Sequence, residues 1–266
     1  MNDMNMDLYF NIENEKPLDN LAVNGGMCGI FRTIGCVGDS LSSGEFESFS
    51  EEGIVGWHDF YEYSWGQFMA RDIGTKVYNF SRGGMTAKAF MESFGAQCGA
   101  WNNPCQAYIL ALGVNDISAV IRGDIELGTS EDIGNPPNDS FAGAYTNIIL
   151  TLKRHQPKAK FFLMTLPQSN NDEVRNKLED RHAEIMYEIA EKYQNCYVLD
   201  FRKYAPVYDE KFKEAFYLAG HLNPMGYRLT ATMVESYIDY IIRHNPEDFK
   251  QVGFVGTPYY NCNEKW

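Results

Sequence analysis

Thr33-Ile34-Gly35-Cys36-Val37-Gly38-Asp39-Ser40-Leu41-Ser42 runs from a short apolar segment into a glycine, an aspartate and a serine. An unbroken run of small and apolar residues is what a strand buried on both faces of a parallel sheet looks like. Ligands of open α/β sheets bind beyond the carboxyl ends of such strands, so Ser40 stands where chemistry is expected. By itself Gly-Asp-Ser is also ordinary turn chemistry. Its weight comes from what lies farther along the chain.

Working outward, strands are predicted over residues 31–37, 76–80, 107–112, 159–165 and 196–200, each closed by a turn. Between them the periodicity predicts helices over 57–73, from about 87, over 141–155, from 172 to 194 and over 224–243. Tyr61, Trp65 and Phe68 form a stripe read as core packing. Pro224 opens the last helix at its first turn, where a missing N–H costs nothing. Strands alternating with helices imply a three-layer α/β/α sandwich around a five-stranded parallel sheet. Residues 44–56, with Glu45, Glu47, Glu51 and Glu52, read as a long polar loop forming one wall of the site. Residues 121–139 read as a second long loop, either a specificity rim or a structural excursion.

The predicted organisation is an N-terminal arm over 1–26, a single α/β domain over 27–244 and a C-terminal tail over 245–266. Leu8, Tyr9, Phe10 and Ile12 are expected to pack part of the arm on the domain. Phe249, Phe254, Tyr259 and Tyr260 are expected to fold the tail back onto it.

With 266 residues, 44% hydrophobic and 22% charged, the chain is sized for a full core. A formal net charge of −13 argues against nucleic acid or an anionic membrane as a partner. The first residues lack a basic start and apolar core, and no apolar run is long enough to span a bilayer, so a cytoplasmic location is expected. The 6 cysteines read as buried or free thiols, with Cys98 and Cys105 able to pair if oxidised. His58, His155, His182 and His244 have no metal-ligand spacing and read as surface or packing residues. Neither a metal nor a cofactor is expected, and oligomeric state is not readable.

Acyl transfer to a serine needs an activated hydroxyl, an imidazole to carry its proton and donors aimed at the oxygen that becomes negative. Ser40 follows the first strand, and His221 precedes the last helix in His221-Leu222-Asn223-Pro224. The backbone N–H groups of Ser40 and Gly84 and the side-chain amide of Asn115 are the candidate oxyanion donors. Arg82, beside the glycine turn, reads as pairing with a neighbouring carboxylate or, less directly, as binding an anionic substrate group.

Gly-Asp-Ser-Leu at 38–41, Gly-Gly-Met-Thr at 83–86, Gly-Val-Asn-Asp at 113–116 and His-Leu-Asn-Pro-Met-Gly-Tyr at 221–227 fall in the order of the four blocks of the SGNH/GDSL hydrolases. The chain resembles that family from about Thr33 to Ile242. The resemblance implies a flavodoxin-like SGNH hydrolase fold and the activity of a serine esterase, lipase or carbohydrate deacylase. It also implies Ser40, Gly84, Asn115 and His221 in the roles above, Asp39 shaping the nucleophile turn and Asp116 bracing Asn115.

One departure matters. The family usually has an aspartate three residues before the histidine, and here that residue is Leu218. In a well-studied serine triad, replacing the acid by its amide lowers turnover about ten-thousandfold. The alternatives are a carboxylate from elsewhere (Asp209, Glu214, Glu210 or one from the loop with Glu45 to Glu52), a backbone carbonyl supporting a Ser-His dyad, or an inactive site. The expectation is the carbonyl-supported dyad, with Asp209 and Glu214 as the candidate acids. The expected function is an ester hydrolase acting on an acyl ester or O-acetylated carbohydrate through an acyl-enzyme on Ser40. The alternative is a catalytically lapsed protein that binds an acylated or glycan ligand.

Overall fold

The computed structural model describes residues 12–137, 139–170 and 172–261. Five strands, β1 (Thr33–Gly38), β4 (Lys76–Ser81), β5 (Ala107–Ala111), β6 (Lys160–Met164) and β7 (Cys196–Leu199), form one sheet in the order β4-β1-β5-β6-β7. All neighbours are parallel.

Alternation along each strand feeds two cores. On β5, Tyr108 and Leu110 join Phe141, Tyr145, Ile185 and Met186 on one side. Ala107 and Ile109 join Trp65, Tyr227, Val234 and Ile238 on the other. Helices Phe141–His155 and Glu173–Lys192 cover the first face, and Trp65–Ile73 and Pro224–His244 cover the second. The sheet lies between two helical layers, as expected of a strand set apolar on both faces.

The register fixes where the site sits. Gly38 pairs with Ser81 on one side and Ala111 on the other, so β1, β4 and β5 end at one level. The turns after them, carrying Ser40, Gly84 and Asn115, therefore emerge on one rim. From β1 the chain goes outward to β4 and returns past β1 to β5, so strand order reverses beside Ser40, where a crevice opens in such sheets.

Two expectations about residues 44–73 are corrected. The stretch read as a loop contains an antiparallel hairpin, β2 (Glu45–Phe49) with β3 (Val55–Asp59). The helix expected from residue 57 begins at Trp65, after Ser64 accepts a cap hydrogen bond from Gln67 N–H. Polar and apolar residues alternate in Glu45-Phe46-Glu47, the period of a half-buried strand. A second two-stranded piece, β8 (Tyr217–Leu218) with β9 (His221–Leu222), presents the histidine. The excursion over 121–139 contains a short helix, Ser130–Gly134.

Residues 12–26 run against helix Pro224–His244, where Ala22 N–H donates to Ser236 Oγ and Glu15 pairs with Arg243. In the tail Phe249, Val252 and Val255 are buried and Tyr259 is exposed. Leu8, Tyr9, Phe10 and Cys262 lie outside the described residues. Cys98 and Cys105 are free thiols rather than a disulfide. No helix among the described residues is long and apolar enough to cross a membrane.

Gly35 is required by space: a Cβ there would lie 2.8 Å from the rings of both Phe80 and Tyr108. Tyr108 is itself stacked on Phe161 at 5.3 Å and cannot retreat. Gly35→Ala is expected to cost about 1–3 kcal/mol, the usual penalty of overpacking a filled core, read as a lower urea midpoint at unchanged slope.

Candidate active site

Asp39 and the one-turn helix Ser40–Ser43 build the turn that presents Ser40, the candidate nucleophile. The Asp39 carbonyl accepts from the N–H groups of Ser42 and Ser43, and its carboxylate accepts from Leu41 N–H at 3.0 Å. Ser40 is the first residue of that turn and is 8% exposed. Tyr227, one turn into the helix that follows His221, donates its hydroxyl to the carbonyls of Ser40 (3.3 Å) and Glu45 (2.7 Å). One buried phenol thus joins the nucleophile turn, the hairpin and the last helix.

At the next strand end, Met85 N–H closes a turn on the Arg82 carbonyl, with Gly84 inside it at φ 70°. That conformation favours glycine. Asn115 Nδ2 donates to the Met85 carbonyl at 3.2 Å and to Asp39 Oδ2 at 3.3 Å, tying the second and third turns to the first. Asp116 accepts from Ala87 N–H at 2.8 Å, so it anchors the start of the helical run after the glycine turn, the turn whose Met85 carbonyl holds Asn115. Arg82 lies over the Phe94 ring at 4.4 Å, a cation–π contact in place of the expected carboxylate pair.

Behind this rim, buried His182 engages the Leu112 carbonyl through Nε2 at 3.0 Å and sits where a Cβ on Gly113 would go. A carbonyl accepts, so Nε2 carries the proton. Burial lowers its pKa to about 4, which keeps the ring neutral. It is a packing residue, as expected.

His221 departs most from expectation. Its Nδ1 lies 2.6 Å from Glu47 Oε1, and its Nε2 lies 3.2 Å from Glu45 Oε1. The partner at Nδ1 is a hairpin carboxylate, not a backbone carbonyl. Neither candidate acid reaches the ring. Asp209 caps helix Glu210–Phe216 by accepting from Phe212 N–H at 2.9 Å, and Glu214 is exposed on that helix. Leu218 pairs directly across β8–β9 from His221, so the apolar residue occupies the place an acid would take. Glu47 reaches in over Gly220, where a Cβ would crowd Oε1.

Glu45 also approaches Gly83, whose Cβ would collide with Oε2. The carboxylate thus spans from the imidazole to the glycine turn. Burial holds its pKa above the usual range against the pull of His221, with Asp59 and Glu47 adding repulsion. The alternation of two glutamates in Glu45-Phe46-Glu47 was the available signal for this pair. Nothing in the sequence says which distant group that face meets.

Burial raises the pKa of both Asp39 and Asp116 to about 7, each opposed by the backbone N–H it accepts. Asp116 Oδ2 is buried with no hydrogen-bond partner, which favours the protonated form. A cavity of about 290 Å³ adjoins Asp39 and Leu41, the neighbours of Ser40, and is walled by Val114, Met164, Tyr217 and Leu222. Among the described residues no cluster of three or more His, Cys, Asp or Glu could hold a metal ion.

This strand order, with the turns of Ser40, Gly84 and Asn115 on one rim and the β8–β9 turn of His221 beside Ser40, defines a three-layer α/β/α sandwich. The chain belongs to the GDSL-like lipase/acylhydrolase family, whose model matches residues 36–229. Solved structures of similar fold include a family two carbohydrate esterase from Clostridium thermocellum in complex with cellohexaose, at TM-score 0.56 and 15% identity, covering 79% of this chain and 64% of that one. The psychrotrophic esterase EstA from Pseudoalteromonas sp. matches at TM-score 0.52 and 16% identity, covering 80% and 100%. A possible lipase from Chitinophaga pinensis matches at TM-score 0.54 and 15% identity, covering 83% and 98%. No curated protein matches the sequence.

A carboxyl whose pKa is raised on folding contributes stability below its unfolded value and loses it as pH climbs through the folded one. For Asp116 that window runs from about 4 to about 7. Asp116→Asn keeps the acceptor for Ala87 N–H and removes the titration. Its urea midpoint is expected to depend less on pH across that window than the wild type, so its relative stability improves on going from pH 5 to pH 8 by an amount on the order of 1 kcal/mol or more.

Proposed function

We propose that the protein is a serine-dependent ester hydrolase in which Ser40 is the nucleophile, His221 the general base and acid, and Glu47 the acid of the triad. The observation that carries the reading is the 2.6 Å contact between His221 Nδ1 and Glu47 Oε1, because it supplies from the hairpin what Leu218 withholds. A carboxylate there fixes the tautomer that leaves Nε2 free to accept a proton, and it stabilises the imidazolium that forms.

In this mechanism Ser40 Oγ attacks the acyl carbonyl as its proton passes to His221 Nε2. The negative oxygen is received by the N–H groups of Ser40 and Gly84 and by Asn115 Nδ2, which exchanges its 3.3 Å bond to Asp39 for it while keeping the one to the Met85 carbonyl. Nε2 returns the proton to the alcohol oxygen as the C–O bond breaks. Water then attacks the acyl-enzyme by the same route. The cavity beside Leu41 is of a size to take a short acyl group.

Glu45 sets a condition on this cycle. Its Oε1 lies 3.2 Å from Nε2, the atom that must take the serine proton. Nε2 therefore reaches the serine proton only once Glu45 has given up this contact. The same contact favours a second reading, a fold that binds an acylated or glycan ligand without turnover. As to substrate, the similarity to a carbohydrate esterase and to esterases supports an acyl ester, including an O-acetylated carbohydrate.

Labelling with a fluorophosphonate probe separates the two readings. The wild type is expected to label at Ser40, and Ser40→Ala to abolish the adduct. His221→Ala and Glu47→Gln are each expected to slow labelling and p-nitrophenyl acetate turnover about 10²- to 10⁴-fold. Asp209→Ala is expected to stay within a few-fold of wild type. An unlabelled wild type would favour the binding protein, and full activity in Glu47→Gln would remove that residue from the triad.

A further inference from the structure

The hairpin that supplies Glu47 has a second feature the mechanism leaves unused. Side chains opposite one another on an antiparallel pair share a face. Glu45, Glu47 and Phe49 therefore lie on the same face as their partners Asp59, Trp57 and Val55. Phe46, on the other face, packs edge-on against Phe60, Tyr63 and Tyr227 at 5.5–5.8 Å. The face with the glutamates is the one that holds His221, and on it Trp57, directly across from Glu47, is 62% exposed.

We infer that this face is the subsite for the alcohol portion of the ester, with Trp57 as a stacking platform and Glu45 as a hydrogen-bond acceptor, and that the alcohol is a sugar. The inference rests on the esterase reading above. The leaving oxygen receives its proton from His221 Nε2, so the alcohol extends toward the groups around that nitrogen. Glu45 stands there, its side chain 12% exposed. A carboxyl group so buried gives up one hydrogen-bond partner only if another replaces it, because an unpaired buried polar group is costly. A hydroxyl neighbouring the ester on the same ring supplies that donor and frees Nε2 for the serine proton. A simple alkyl ester supplies none.

The remaining chemistry points the same way. A pyranose has a flat face of C–H groups and a rim of hydroxyls. An exposed indole takes the first with little ordering cost, and the carboxylates accept from the second. The four acids Glu45, Glu47, Glu51 and Glu52 disfavour a phosphorylated or carboxylated alcohol and oppose docking of the hairpin on an anionic lipid surface. That matters because Phe49 and Ile54 are also exposed near its tip and would otherwise suit a lipid interface.

The test compares kcat/KM on an O-acetylated xylo-oligosaccharide with kcat/KM on p-nitrophenyl acetate. In Trp57→Ala the ratio of the first to the second is expected to fall at least tenfold, mainly through KM, and Trp57→Tyr is expected to restore most of it. Glu45→Ala is expected to lower the same ratio while raising turnover of p-nitrophenyl acetate, since nothing then competes for Nε2. An unchanged ratio in Trp57→Ala would overturn the inference. So would a loss confined to emulsified tributyrin, which would assign the face to a lipid interface. A wild type that cleaves p-nitrophenyl acetate but not the acetylated oligosaccharide defeats this inference alone. A wild type inactive on both and unlabelled by fluorophosphonate defeats the esterase reading beneath it.

Discussion

The contact between His221 and the carboxylate of Glu47, 174 residues away in the chain, is the interaction on which the arrangement of the rim depends. β8–β9 is only two residues long on each side and cannot hold a ring in place by itself. Its turn includes Ala219 at φ 58°, a conformation that costs a side-chain-bearing residue about 1 kcal/mol or more. The hairpin β2–β3 braces it from outside the sheet. That hairpin is in turn pinned by Phe46 among three aromatic rings and by the Tyr227 hydroxyl on the Glu45 carbonyl.

A second set of constraints lies beneath the rim. Asp39 links the Ser40 turn to Asn115, and Asp116 holds the start of the helical run after the glycine turn. Both carboxyls are buried and both are pushed toward the neutral form by loss of water. Neutral His182 supports the β5 end from below. The rim is thus built on buried polar groups, while Glu45 and Glu47 are gathered on the hairpin around the imidazole. In the proposed reaction negative charge would build beside Asn115 and positive charge on His221.

Much of this was legible in the chain. Apolar runs closed by turns marked all five strands of the main sheet, and the four motifs picked out Ser40, Gly84, Asn115 and His221 by local chemistry. The hairpin was missed because its strands are short, polar on one face and interrupted by Gly56, so glycine and glutamate content suggested a loop. Starting the following helix at residue 57 placed Trp57 on a helix when it belongs to a strand. The backbone carbonyl expected at Nδ1 is replaced by Glu47, from the 45–52 stretch that was one of the alternatives. Asp209 and Glu214 are near His221 in sequence, but Asp209 is committed to a helix cap and Glu214 faces solvent.

By itself the sequence determined what is local: which segments are buried strands, which turns need glycine, and which residue types wait at the strand ends. Those follow from side-chain periodicity and backbone preference over a few residues. Only the tertiary structure decided which carboxylate meets the imidazole and which aromatic stands beside it. That choice depends on how two hairpins, each too small to be stable alone, pack against each other and against the last helix. Such packing is set by the shape and burial of the whole domain, and no short stretch of the chain encodes it.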